Sequence, residues 1–237
     1  MEASPSLDEI RDLIVIGSKI LTQNGVLDSF GHVSARHSEN PDRFLMSIRK
    51  SPDMVEPEDI REFNLQCLLV GPEAPVFLER FIHGAIYAAR PDVHSIVHSH
   101  SPGAVTLSTV KSQPLRAICN TSAFLGTSVP NFEIRDFAGD GTALLISNIE
   151  LGQALAKSLG PQSAILMRGH GSTVVANSVQ NAVYRAVYTE RNAQMQVNAL
   201  AIGEVTFMSE AEARAGAQLM VKHDERAWQS WLREVSA

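Results

Sequence analysis

Val93-His94-Ser95-Ile96-Val97-His98-Ser99-His100-Ser101-Pro102 carries a structural and a chemical signal together. The β-branched pair Ile96-Val97 reads as a strand over residues 93–98, and Pro102, near a first helical position, opens a short helix to Val110. In an extended segment, residues two apart point the same way. His98 and His100 therefore present both imidazoles to one point in space, the arrangement that a metal with nitrogen ligands requires. The same spacing also occurs at strand ends that bind nothing, so the pair alone leaves both readings open.

Working outward, Glu79 to Arg90 has helical spacing, with Phe81, Ile82, Ala85, Ile86 and Ala89 on one side and Pro91-Asp92 as its stop. Glu79 and His83 lie one turn apart and share a face. Taken singly, Glu79 is a helix-start carboxylate favoured by the macrodipole, and His83 a satisfied helix histidine. Downstream, Ser163 to Met167 reads as a buried strand that runs into Arg168-Gly169-His170-Gly171, where the flanking glycines let the backbone turn and expose the ring. If this strand neighbours the one ending at His98, three imidazoles converge.

The remaining chain alternates short strands and helices. Ser6-Leu7-Asp8-Glu9 has capping-box spacing and opens a helix that Gly25 stops. Strands are expected at 32–36, 43–48, 60–65, 67–70, 115–120 and 173–176, and an ordered loop at 121–142. Ser147-Asn148-Ile149-Glu150 repeats the capping-box spacing ahead of a helix to Leu159, Ser178 caps a long helix to about Ala201, and Ser209 starts a last helix running nearly to the C-terminus. Without a Pro/Gly/Ser-rich linker, this pattern predicts a single three-layer α/β/α domain over residues 1–237.

Composition narrows the function. With 237 residues, 44% hydrophobic and 19% charged, the chain is neither disordered nor collagen-like. Twenty Lys and Arg against 26 Asp and Glu give a net charge of −6, which supplies no basic field for nucleic acid or anionic lipid. Cys67 and Cys119, without CxxC spacing, make neither a disulfide framework nor a zinc knuckle. Glu2, Asp8 and Glu9 occupy the place of a signal peptide's basic start, and the apolar runs are too short to span a bilayer, so a soluble cytoplasmic protein is expected.

Together these motifs resemble the class II aldolase and adducin-head family. The resemblance lies in Glu79-Arg80-Phe81-Ile82-His83, Arg90-Pro91-Asp92-Val93 and His98-Ser99-His100-Ser101-Pro102 in family order and spacing, with Gly31-His32-Val33-Ser34-Ala35-Arg36 similar to G-N-[IVL]-S-x-R and Leu166 to Gly171 similar to L-L-x-x-H-G. It implies metal ligands at His98, His100 and His170, and Glu79 as an acid/base carboxylate that also approaches the metal. It implies an α/β/α sandwich around a mainly antiparallel sheet, assembled as a homotetramer with the site near a subunit interface.

Three places depart from the family's sugar-phosphate aldolases. Position 32 is His rather than Asn, the next loop reads Ser47-Ile48-Arg49-Lys50-Ser51-Pro52 without glycine, and Val76-Phe77-Leu78 replaces small hydroxyl residues ahead of Glu79. A phosphate needs several donors, and Phe77 and Leu78 supply none. An apolar wall beside cations suits a flat aromatic ring with carboxylates, although Arg49 and Lys50 also fit a solvated turn. The pattern resembles the family's decarboxylase branch, which implies a hydroxylated aromatic or pyridine dicarboxylate substrate. Candidates are 3-hydroxy-2-methylpyridine-4,5-dicarboxylate, of vitamin B6 degradation, and 3,4-dihydroxyphthalate. His32, Ser47, Arg49 and Lys50 are the implied substrate-binding residues, and Mn2+ is the implied metal, with Zn2+, Co2+ and Fe2+ as alternatives. For Glu79 to donate a proton, burial would have to raise its pKa. The competing readings are an aldolase or epimerase for an unphosphorylated hydroxy acid, with the same triad in a more polar pocket, and a non-catalytic module like the adducin head.

Overall fold

Alternation along β1 (His32–Arg36) sorts the chain into layers: Val33 and Ala35 join one hydrophobic cluster, while Ser34, between them, faces the other side of the sheet and reaches His83. The computed structural model describes residues 5–220 and 224–236. β2 (Arg43–Ser47), β3 (Ile60–Asn64) and β4 (Leu69–Val70) extend the sheet from one side of β1, and β5 (Ser95–Ser99), β8 (Gly171–Ala176), β7 (Ala164–Met167) and β6 (Asn131–Phe132) extend it from the other. Every pairing is antiparallel except β6 with β7, as expected of a mainly antiparallel α/β sandwich.

The two faces are covered by different helices. α1 (Leu7–Gln23), α3 (Pro102–Thr109), α6 (Val179–Ile202) and α8 (Asp224–Val235) pack on the side of Val33, Leu45, Val97 and Val174. α2 (Arg80–Ala89) and α5 (Ile149–Leu159) cover Phe44, Met46, Ile96 and Val175. Each fully buried aliphatic side chain, such as Ile82 or Ile86 on α2, contributes about 1.5–3 kcal/mol relative to exposure. α4 (Arg135–Ala138) is a single turn, and α7 (Glu210–Met220) packs on the 3-10 turn Asn120–Leu125. No helix among the described residues is long and apolar enough to cross a membrane.

The Ser6 capping box forms, with the Glu9 carboxylate accepting from Ser6 N at 2.7 Å. Three expectations are corrected. Residues 115–120 form no strand: Leu115 and Ala117 are buried and bond the backbone of Gly126, Val129 and Met208, while the alternate groups are satisfied by side-chain amides of α6 instead of a neighbouring strand. Asn192 accepts from Ile118 N at 3.0 Å and donates to Arg116 O at 2.7 Å, and Gln196 accepts from Arg116 N at 3.0 Å and donates to Pro114 O at 2.8 Å. The strand expected from Cys67 begins at Leu69, because Cys67 closes a tight turn in left-handed backbone at φ 64°. The α5 cap is Asn148, whose side chain accepts from Leu151 N, rather than Ser147. The last helix, expected from Ser209 nearly to the C-terminus, is described over α7 and α8, and the part of that expectation at 221–223 lies outside the described residues.

The Asn192 bridge generates a prediction. Asn192→Leu leaves the part-buried Ile118 N–H and Arg116 C=O without their partner, so a loss of about 1–3 kcal/mol is expected. Urea denaturation checks it, and an unchanged midpoint would show that the 115–120 strap is held by other contacts.

Candidate metal centre

Register brings the histidines together. His32 lies opposite His98 across β1 and β5, and His98 opposite Thr173 across β5 and β8, so these side chains share a face. His170 sits in the turn between β7 and β8, where Gly169 adopts left-handed backbone at φ 66°. At Gly171 the strands approach so closely that a Cβ would collide with the Ser99 carbonyl. Glycine at 171 thus lets His170 close on His98. His100 lies just beyond β5, where the chain turns into α3 at Ser101. That turn is clamped from within the same layer by buried Glu190 on α6, whose carboxylate accepts from Gly103 N at 2.8 Å and Ala104 N at 3.0 Å.

The three Nε2 atoms form a near-equilateral triangle with edges of 3.2, 3.1 and 3.2 Å. Their outer nitrogens reveal the tautomers. His98 Nδ1 donates to the Ser172 carbonyl at 3.1 Å, and His100 Nδ1 faces the Asp28 carboxylate at 3.2 Å. Both acceptors require the hydrogen on Nδ1, so the Nε2 atoms of neutral His98 and His100 carry lone pairs aimed at each other. Burial, then the neighbouring His98 and His170, lowers the His100 pKa and favours its neutral form. The Glu79 carboxylate lies alongside, 3.5 Å from His98 Nε2 and 3.3 Å from His170 Nε2. Converging acceptors without a shared hydrogen are what a cation satisfies. A metal bonded to nitrogen at about 2.0–2.1 Å separates neighbouring donors by roughly 2.8–3.4 Å for octahedral to tetrahedral angles. The observed edges fall within this range, so His98, His100 and His170 fit a divalent ion, with Glu79 within reach.

Glu79 departs from expectation. Burial alone would raise its pKa, but the adjoining His98 and His170 outweigh burial and hold it well below the ordinary carboxylate range. It is an ionised carboxylate at the start of α2, not a resident acid. Burial and then the nearby His98 push His83 down to about 3, and burial with His83 and His98 holds His32 well below the usual histidine value.

A cleft of about 450 Å³ opens beside the triangle, with Glu79, His100 and His170 at its base, Phe77, Leu78 and Phe30 as apolar walls, and Arg49 and Lys50 on its rim. The structure separates the two cations. Lys50 Nζ is 2.6 Å from Asp59, which compensates its charge, whereas exposed Arg49 has no ion-pair partner among the described residues. Arg49 N donates to Pro75 O at 2.8 Å, pinning its loop beside the Phe77 segment. Ser47 is buried on the Leu45 face of β2 and lies outside the cleft lining. His32 is buried behind Phe77, with ring centres 4.7 Å apart. Arg36 donates to the carbonyls of Val93, Pro41, Tyr87 and Arg90 and is structural. Tyr184 packs on Tyr188 and donates to Thr121 O in another cavity. Asp28 is the functional neighbour that spacing did not reveal. Its signal is the Asx turn in Asp28-Ser29-Phe30-Gly31, where Oδ1 accepts from Phe30 N and Gly31 N.

The sequence pattern described as Class II Aldolase and Adducin N-terminal domain matches residues 11–197. The chain belongs to this family. Among class II aldolase relatives, it is 36% identical over 245 residues to Decarboxylase tropJ of Talaromyces stipitatus, covering 93% of this chain and 92% of that protein. It is 26% identical over 205 residues to 3,4-dihydroxyphthalate decarboxylase of Arthrobacter keyseri, covering 81% and 79%. An aldolase II superfamily protein from Pseudomonas syringae matches with a TM-score of 0.79 over 99% of this chain and 94% of its own, at 22% identity, which shows the shared class II aldolase fold.

Removing an inward lone pair and removing its outer support have different expected effects. His98→Ala should abolish retention of a divalent ion, whereas Asp28→Ala, which frees the outer nitrogen of His100, should weaken it about 10- to 100-fold. Competition with a chromophoric chelator measures both. Full retention by His98→Ala would remove the triangle as the metal site.

Proposed function

We propose that the protein is a divalent-metal-dependent decarboxylase of hydroxylated aromatic dicarboxylates, acting through one class II aldolase-like domain over residues 1–237. The observation that carries this reading is the cleft itself: an uncompensated Arg49 faces an apolar Phe77-Leu78 wall above Glu79 and the histidine triangle. The decarboxylase names of two relatives support it. An unphosphorylated hydroxy acid would want polar partners where Phe77 and Leu78 stand.

Loss of CO2 from an aromatic acid requires a proton to arrive at the ring carbon that holds the carboxylate. The carbon–carbon bond then breaks, its electron pair restores aromaticity, and CO2 leaves, for a net uptake of one proton. His98, His100 and His170 would hold a divalent ion, Mn2+ in first place with Zn2+, Co2+ and Fe2+ as alternatives, which supplies Lewis acidity to the ring oxygens. Ionised Glu79 accepts the proton of the ring hydroxyl and returns it to the ring carbon. Arg49 pairs with the second carboxylate, and Lys50, compensated by Asp59, adds little to that pairing. Phe77 and Leu78 stack on the ring and exclude water. The free thiols of Cys67 and Cys119 accord with a cytoplasmic setting, and a homotetramer accords with the family resemblance.

The test is CO2 release by Mn2+-loaded protein from 3,4-dihydroxyphthalate and from 3-hydroxy-2-methylpyridine-4,5-dicarboxylate, beside a sugar-phosphate cleavage control. Turnover of either diacid is expected and identifies the ring, while cleavage of the sugar phosphate alone would end the decarboxylase reading. Arg49→Ala should raise KM about 10-fold or more for a dicarboxylate, as expected when a charged contact is lost. Glu79→Gln should keep the ion yet lose on the order of 10²- to 10⁴-fold in kcat; wild-type turnover would exclude Glu79 from proton transfer.

A further inference from the structure

Helix α3 touches the histidine triangle from both of its ends. At its start, Pro102 stands two residues after His100, and Glu190 holds Gly103 N and Ala104 N. Towards its other end, buried Ser108 reaches the turn between β7 and β8. There its Oγ accepts from Gly169 N at 2.9 Å, one residue before His170.

The chemistry of the partners gives this contact a single direction. A backbone N–H only donates, and the hydroxyl hydrogen of Ser108 goes to Val105 O at 2.7 Å within the helix, so Oγ meets Gly169 with a lone pair. A helix leaves its last carbonyls without partners, and that of Ser108 accepts from Asn131 Nδ2 at 2.7 Å. On the side of the turn, Arg168 N donates to Phe132 O at 3.0 Å and His170 N to Met167 O at 2.9 Å. Of these three successive N–H groups, that of Gly169 alone ends on a side chain. Leu144 Cδ1 lies 3.5 Å from where a Cβ of Gly169 would stand, so an apolar group covers the turn there and offers no substitute acceptor.

The sheet ladder fixes His98 relative to the turn that bears His170, but His100 lies past the last residue of β5. Asp28 orients the His100 ring, and α3 sets where its backbone stands. From Gly103 to Ser108 an α-helix rises about 7.5 Å, and its internal hydrogen bonds keep that length stiff. We propose that α3 is a strut that sets the 3.2 Å His100–His170 edge, and that Ser108, its second fixing, is a positioning residue for the divalent ion held there. Ser108 does not line the cleft and acts through Gly169. The inference rests on the triangle as a metal site and is independent of the decarboxylase reading.

Metal-stripped protein titrated with Zn2+ against a chromophoric chelator tests the strut. Ser108→Ala should bind Zn2+ about 10- to 100-fold more weakly than the wild type, and the visible bands of the Co2+-loaded variant should shift as the His170 donor is displaced. Asn192→Leu, which loses stability at the 115–120 strap, should keep wild-type affinity and so separates positioning from general destabilisation. Glu190→Gln disturbs the first fixing and should also weaken binding. A strut freed at one end gains little on release of the other, so the double variant should lose less than the product of the two single losses. Wild-type affinity with an unchanged Co2+ spectrum in Ser108→Ala overturns the proposal, as does an equal loss in Asn192→Leu or a full product of losses in the double variant. A wild type that binds neither ion would end the metal site itself, and the strut with it.

Discussion

The contact between β5 and β8 at Ser99 and Gly171 governs the functional end of the molecule. Backbone meets backbone there at a distance that no side chain at 171 would allow, and His170 is thereby delivered to His98 at 3.1 Å between Nε2 atoms. His100 enters the same space because Glu190, from the neighbouring helix α6, holds the start of α3. Two segments distant in sequence, the end of β5 and the turn between β7 and β8, thus bring three imidazole nitrogens to one point. Without a cation, that arrangement is electrostatically unfavourable, and the surrounding hydrogen bonds to Ser172 and Asp28 hold it in place.

The layer under the cleft is unusual for a buried sheet face. Phe44, Phe63 and Ile96 pack there as apolar core, yet His32, Ser34, His83 and Tyr87 share the space and are satisfied almost entirely among themselves. Charging either imidazole is disfavoured by burial. Glu79, a few ångströms away, is the reverse case: burial pushes its pKa up, but positive charge at the adjoining His98 and His170 pulls it down and favours the carboxylate. The site therefore combines a carboxylate and three converging imidazoles beside an apolar wall.

Much of this was legible in the sequence, for identifiable reasons. The His98-Ser99-His100 spacing and the glycines around His170 are local signals, and local geometry carried them into the structure. The helix starting at Glu79 and the Ser6 cap follow from periodicity and capping. What escaped depends on distant partners. Residues 115–120 have the apolar content of a strand, but alternate backbone groups there bond Asn192 and Gln196 on a helix. Lys50 and Arg49 look equivalent in sequence, and Asp59 makes them different. Ser47 shares a loop with Arg49 but faces the opposite side of the sheet. The carboxylate state of Glu79 and the buried hydrogen bond of His32 depend on neighbours 19 and 51 positions away, His98 and His83, which no linear pattern displays.

The sheet also ends abruptly. Its outermost strands, β4 and β6, are two residues long each, so the eight-strand array offers little open ladder at either margin. A long bare edge would template the addition of strands from other molecules, and brevity is one of the ways natural sheets avoid this. The protein is accordingly protected at both margins against edge-to-edge aggregation, so its wide hydrogen-bonded platform can carry a site at its centre without growing into a fibril.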